Sequence, residues 1–253
     1  MIKLIVFIFF LIMCGAEAVC ARDLTLSVPE RNWYPFTYVE ASQVKGMHVD
    51  MVRKAVQDLG YVLTIKVLPS KRSLKYAKTG RVDGIISIAY SKENAAVLDF
   101  PADAATGSES KWRIMQVDHI IVTHNEAAYE FDGDIKTIPE PIRLPQGESF
   151  TPVLVDAGHL VYETRTDIQN FKMLARDKTG AVITTSLIAE NMFSKLAFDD
   201  RLTIQAVPML SESYHVGFSK MTALSSDEKQ KIWDAVARLR DDYVYMLQLF
   251  AQY

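Results

Sequence analysis

Four aromatic rings, a proline and a threonine stand together in Trp33-Tyr34-Pro35-Phe36-Thr37-Tyr38. A flat or aliphatic molecule packs on such rings, and a cation gains from their negative faces. Trp33 and Tyr34 are the candidates for ligand contact, with Phe36 expected in the core, because alternate loop residues often turn inward. Three other places carry usable groups. Ser87 and Tyr90 lie where a buried apolar stretch ends, and ordinary strand-end capping is the competing account of them. Arg72 offers a guanidinium fork for an acidic group, or else decorates a solvated helix face. In Gln146-Gly147-Glu148-Ser149 a glycine-led turn enters a helix, and the free N–H groups of such a turn form an anion seat. Gly147 and Ser149 fit that seat, but Glu148 brings its own negative charge. It either caps its helix or faces a cleft, where it selects a cationic or hydroxylated solute.

Signs of catalysis are thin. The chain has no Gly-x-Ser-x-Gly elbow and no glycine-rich loop ending in Gly-Lys-Ser/Thr. Its histidines (His48, His119, His124, His159 and His215) show no metal-ligand spacing, so neither a metal nor another cofactor is expected. An enzyme would have to use a cleft carboxylate, for which Glu148 is the candidate. The formal net charge of −3, with both signs interspersed, argues against a nucleic-acid or anionic-membrane partner.

Residues 1–21 read as a signal peptide: Met1-Ile-Lys3, an apolar run over 4–13, and small-residue cleavage sites after Ala18 or Ala21. The run is shorter than the roughly 20 residues a membrane span needs. A lipoprotein reading at Cys14 is disfavoured by bulky Met13 before it. Cys14 and Cys20 are the only cysteines, so the folded part is expected to stand on its core without a disulfide. About 230 residues then remain, enough for one large domain or two small lobes.

The elements that must position these groups alternate. Leu24–Val28 is a strand. Met47–Leu59 carries an apolar stripe (Met47, Met51, Val52, Ala55, Val56, Leu59) and stops at Gly60, which marks a helix. Tyr61–Leu68 alternates like a strand, Lys71–Thr79 is a short helix ended by Gly80, and Val82–Ile88 is a strand buried on both faces. A small, polar stretch at 102–111 suggests a crossing between lobes. A second set follows: strands at His119–Thr123, Ile142–Leu144 and Ala181–Thr185, and a helix at Asp167–Asp177. Tyr214–Ser219 alternates again, and the capping box Ser225-Ser-Asp-Glu228 opens a long final helix with the stripe Ile232, Val236, Leu239, Tyr243, Leu247, Phe250.

With these motifs in order, the chain resembles the periplasmic extracellular solute-binding proteins of family 3, the polar-amino-acid-type binding proteins of ABC importers. The resemblance rests on the leader, Trp33-x-Pro35-Phe36-x-Tyr38, Gly46-x-x-x-Asp50, Gly80-Arg-Val-Asp-Gly-Ile85, Ser91-Lys-Glu93 before Leu98-Asp-Phe-Pro101, Gln146-Gly147-x-Ser149, and the terminal strand and helix. It implies an α/β, two-lobed periplasmic-binding-protein fold (type II, flytrap) joined by two hinge crossovers. The expected division is lobe 1 at 22–110, lobe 2 at 111–210, and a return to lobe 1 at 211–253. It further implies a small-molecule ligand between the lobes, a membrane permease or a sensor receptor as partner, a periplasmic location, a monomer and no chemistry of its own.

The resemblance also assigns roles. Relatives offer carbonyls and hydroxyls to a ligand ammonium from the segment holding Ser87 and Tyr90, and a carboxylate seat from the Gly147 turn. Arg72 matches an arginine of many relatives, although Ser70 replaces the tryptophan before it. Two anchors of an α-amino acid are missing. Asn94 stands in Ser91-Lys-Glu-Asn94 where relatives place the carboxylate-binding arginine. After Gly180, Ala181–Ala189 contains no acid to bind an ammonium. An amino acid or related polar compound therefore remains the family expectation, with uncharged, cationic or unusual solutes favoured over an ordinary zwitterion. The alternatives to delivery are a ligand-sensing module and, less favoured, an enzyme on the same fold.

Overall fold

The computed structural model describes residues 22–253, apart from Arg31, Gly107, Ser108, Ser149 and residues 197–200. The leader and the Ser149 assignment lie outside the described residues. The first part of the chain contains strands β1 (Arg22–Pro29), β2 (Tyr38–Glu40) and β3 (Gln43–Lys45), helix α1 (Met47–Asp58), β4 (Tyr61–Leu68), α2 (Ser70–Lys78), β5 (Gly84–Ala89), α3 (Lys92–Ala95) and β6 (Leu98–Asp99). The middle contains β7 (Met115–His124), β8 (Ile142–Pro145), α4 (Thr151–Asp156), β9 (Val161–Thr164), α5 (Asp167–Asp177), β10 (Ala181–Thr185), α6 (Ser186–Leu196) and β11 (Leu202–Ile204). The last part is β12 (Leu210–Ser219), α7 (Ser226–Asp241) and α8 (Tyr243–Phe250).

Sequence patterns explain the main elements. In β4, Tyr61, Leu63, Ile65 and Val67 pack toward the core while the alternate positions are more open. The apolar stripe of α1 is buried, and the box formed by Ser225 and Glu228 opens α7 as expected. The final helix differs from expectation. It breaks at Asp242, whose carboxylate accepts the Tyr245 N–H at 3.1 Å and starts a separate helix. The stripe therefore does not continue: Tyr243, Leu247 and Phe250 are exposed.

The strands join in the order β4-β1-β5-β12-β7-β10-β8-β9. β1 is parallel to β4 and β5, and β8 is parallel to β9 and β10, giving one parallel set at each end. Between them run the two long strands β7 and β12, antiparallel to each other over Met115–His119 and Leu210–Tyr214. Each then leaves the other. From His119 onward β7 pairs with β10, and from Tyr214 onward β12 pairs with β5. These crossovers carry the chain out to a second α/β unit and back, the architecture of a two-lobed, type II periplasmic-binding-protein fold.

The largest core lies under the first unit, where β1 and α1 pack with α7. The second unit has two smaller cores, centred on Ile142, Leu144 and Leu154 in one and on Val122, Phe171 and Leu174 in the other.

Candidate functional site

The aromatic segment closes on itself before it meets anything else. The Trp33 N–H donates to the Thr37 carbonyl at 2.8 Å, and the Phe36 and Thr37 N–H groups both donate back to the Trp33 carbonyl at 2.8 and 2.9 Å. The turn is then fastened to the start of α1, where the Met47 and His48 N–H groups donate to the Pro35 and Phe36 carbonyls at 2.9 and 3.1 Å. Two of the N–H groups that a helix start leaves unsatisfied are thus used without a side-chain cap. Gly46 makes the junction feasible: its φ is 123°, and a Cβ there would stand 2.2 Å from the Phe36 carbonyl oxygen.

This geometry sorts the rings. Trp33 and Phe36 are buried with centroids 4.6 Å apart, and Trp33 also meets Tyr214 at 4.9 Å and His48 at 5.7 Å. Tyr34 and Tyr38 turn the other way. Their centroids lie 5.2 Å apart, and the Tyr34 hydroxyl donates to the carbonyl of Tyr253, whose own hydroxyl donates to Asp50.

Ser87 occupies a break in β5. Ile86 pairs with Val216 and Ile88 with His215, leaving Ser87 as the extra residue of a bulge, at a φ of 65°. A non-glycine residue in that region carries strain of order 1 kcal/mol, which the surrounding structure must hold. Its hydroxyl lies 2.7 Å from Nδ1 of His48. Burial pushes the His48 pKa down to about 3, so the ring is neutral at ordinary pH.

Of these groups, Trp33, Ser87 and Tyr214 line a cavity of about 250 Å³. Its first wall is Trp33, Thr37, Ser70, Ser73, Ser87 and Asn94. Gly147 and Glu148 come from the other unit, and Tyr214 comes from the crossover strand between them. The structure thus brings together Trp33, Ser87, Asn94, Gly147 and Glu148 of the residues singled out in the sequence.

The other described candidates lie elsewhere. Tyr34 lines a neighbouring cavity with Asp167 and Met192. Tyr90 packs its ring on Phe100 at 5.4 Å, and Arg72 is exposed on α2. Neither lines the Trp33 cavity. Asn94 spends its amide N–H on the Ala89 carbonyl at 3.0 Å, fastening the segment after β5.

The glycine turn also departs from expectation. The helix it enters, α4, has only six residues, begins at Thr151 and has no side-chain cap. Glu148 therefore does not cap it; its side chain is buried, with 8% of the residue exposed, in the cavity wall. Behind Tyr214 lies a second carboxyl. The Tyr214 hydroxyl donates to Oε2 of Glu212 at 3.2 Å and lies 3.4 Å from Nε2 of His119. Burial, and next to it the negative charge of Glu148, hold the Glu212 carboxyl above the usual carboxylate range.

Tyr214, His48 and Glu212 were not singled out in the sequence. Tyr214 had a signal, as the first residue of an alternating strand. His48 and Glu212 had none, because only the fold carries them to the bulge and to Glu148.

Comparison with known proteins supports both the fold and the resemblance drawn from the motifs. The sequence model for "Bacterial extracellular solute-binding proteins, family 3" matches residues 27–136. No curated protein matches the chain. Solved structures match over nearly its full length. A histidine kinase sensor domain with similarity to periplasmic binding proteins is 15% identical, covers 92% of this chain and 96% of its own, and gives a TM-score of 0.68. The ligand-binding core of GluR0 from Nostoc punctiforme, in complex with L-glutamate, is 17% identical over 90% and 98%, with a TM-score of 0.65. The L-cystine solute receptor of Neisseria gonorrhoeae, unliganded and open, is 17% identical over 93% and 94%, with a TM-score of 0.63.

Proposed function

We propose that this protein is a periplasmic solute receptor that captures a small molecule between its two lobes and delivers it to an ABC importer. We take residues 22–110 and 211–253 as one lobe and 111–210 as the other. The observation that carries the reading is the cavity at the crossover strands. Trp33 and the Ser87 bulge stand on one side of it, Glu148 on the other, and Tyr214 where β12 changes partners. A molecule held there touches both lobes, so its binding energy differs between open and closed arrangements and shifts the balance toward closure. A permease then has a ligand-dependent surface to recognise.

Thermal unfolding across a metabolite panel, with mass spectrometry of solute released on denaturation, tests this. A true ligand at about a hundred times its dissociation constant stabilises by roughly 2.7 kcal/mol. An unchanged melting temperature throughout, with no released solute, would sink the proposal. The likeness to a histidine kinase sensor domain favours a second reading, in which the ligand-bound form signals through a receptor. Reconstitution separates the two: ligand-dependent stimulation of an importer ATPase supports delivery, and stimulation of a kinase supports sensing.

A further inference from the structure

On the Tyr34 side of the aromatic turn lies a second cavity, of about 230 Å³. Its apolar lining comes from both units: Pro35, Met47 and Phe250 from the first, Ile168, Leu187 and Met192 from the second. Two of these side chains stand half in water, Ile168 at 43% and Phe250 at 47% exposed, and Leu187 and Met192 are only partly buried. An apolar group placed among them removes that surface from water on both units at once. Its burial therefore favours the arrangement in which the two units meet.

This cavity shares Asn32, Arg165 and Asp167 with a third one, of about 220 Å³, which Trp33 and Gln146 also line. Neither alone reaches the roughly 300 Å³ at which pockets for organic ligands begin, but side by side they pass it. The two charges at their junction differ in availability. Asp167 opens α5, and its Oδ1 accepts the Thr184 hydroxyl at 2.8 Å. Arg165 is exposed at the rim and makes no hydrogen bond or ion pair with any described residue. Its planar fork of N–H donors suits a carboxylate, which takes two of them at once. The Asn32 amide adds a donor at the same junction. A second acid, Glu30, lines the third cavity but not the apolar one. Because Trp33 lines both the third cavity and the one at Ser87, the pair adjoins the site already described.

We propose that the cavity between Met47 and Met192 is a subsite for the apolar arm of a carboxylate solute, whose head lies on Arg165. The proposal rests on the solute-receptor reading and names a ligand class for the same interlobe cleft. The purified protein is titrated at pH 7, by calorimetry and thermal shift, with straight-chain carboxylates from acetate to octanoate. The matched primary alcohols and amines serve as comparators. Carboxylate affinity is expected to rise roughly fourfold with each added CH₂, the equivalent of about 0.8 kcal/mol, and to level off once the cavity is full. Each carboxylate should bind at least tenfold tighter than its alcohol and its amine.

Two kinds of variant separate arm from head. Ile168→Asp puts a charge in the apolar lining, at a first-turn position of α5 that suits an acid, so the unliganded melting temperature should hold. The rise with chain length should disappear in it, and should shrink in Phe250→Ser on the opposite unit. Arg165→Gln should lower each carboxylate to the level of its alcohol while keeping the same rise, and Arg165→Lys should restore part of the loss.

Affinity independent of chain length overturns the subsite, as does a rise that persists in Ile168→Asp or an absence of binding across the series. Amines binding as tightly as carboxylates, or carboxylates unaffected by Arg165→Gln, overturn the assignment of the head. All of these leave the receptor reading standing if a solute from the metabolite panel binds. Failure of the series, of the panel and of solute release on denaturation removes both.

Discussion

On one side of the cavity, Trp33 sits in the largest core of the molecule, locked by its own turn, by the start of α1 and by the rings of Phe36, His48 and Tyr214. On the other side, Glu148 rides on a turn beside an exposed glycine and a helix of six residues. One wall is a continuation of the core, and the other is a turn that holds a buried carboxylate beside an exposed glycine. The difference divides the labour of recognition. A packed wall fixes shape because its side chains cannot move without opening voids.

The largest expected effect comes from the packed wall. Trp33→Ala empties a site that is only 6% exposed, and large aromatic truncations in cores cost about 3–5 kcal/mol. Chemical denaturation should show that loss together with loss of ligand binding. An unchanged midpoint would mean that Trp33 is a surface platform rather than part of the core, and the contrast between the walls would vanish.

Acid separates the groups around the cavity next, because the buried histidines and Glu212 shift in opposite directions. His48 is neutral in the fold down to about pH 3, whereas in the unfolded chain it takes a proton near 6.5. Between those values the unfolded state holds more protons. Stability from this residue is therefore complete above about 6.5 and declines toward about 3, by up to roughly 1.4 kcal/mol per pH unit. His215, depressed to about 4 mainly by burial, acts in the same sense. Glu212 does the reverse: its raised carboxyl makes the fold hold more protons, so its contribution falls as pH rises from the ordinary carboxylate range through the raised value. Urea midpoints between pH 4 and 7 should flatten in His48→Gln and steepen in Glu212→Gln. The same slope in all three proteins would contradict the burial of these groups.

Legibility in the sequence follows the same division. The stripe of α1, the alternation of β4 and the box of α7 are local signals with one strong period each, and these elements form close to where the pattern puts them. The β2–β3 hairpin was missed because its turn uses Ala41 and Ser42 at positive φ, where turn rules look for Gly or Asn. Helix α6 was hidden by apolar residues that run on from β10 without a break, the change being made by Thr185, whose hydroxyl accepts the Ile188 N–H at 3.4 Å. At the site, Trp33 stood out by its company. The bulge at Ser87 did not, since it exists only in the register of β5 against β12. Glu212 gains its meaning from Glu148, 64 residues away in the chain and brought near only by the crossover strands.

The smallest effect tests the lighter wall by its backbone. Gly147 has a φ of 88°, yet a Cβ built there meets nothing within 4 Å. Gly147→Ala therefore carries only the conformational cost of a left-handed residue, about 1 kcal/mol, with no clash added. Gly46→Ala on the packed wall carries the same kind of cost and also drives a Cβ into the Phe36 carbonyl. Thermal melts of the two variants should show Gly147→Ala slightly lowered and Gly46→Ala much more so. Ligand affinity should follow a different order from stability. In Gly147→Ala the turn carrying Glu148 must settle into a new backbone angle, so affinity should drop by more than the melting shift alone accounts for. Equal losses in the two melts would show that the glycine turn is packed as tightly as the aromatic one. A Gly147→Ala protein with normal affinity would mean that the position of Glu148 is fixed by its side-chain surroundings and not by the turn.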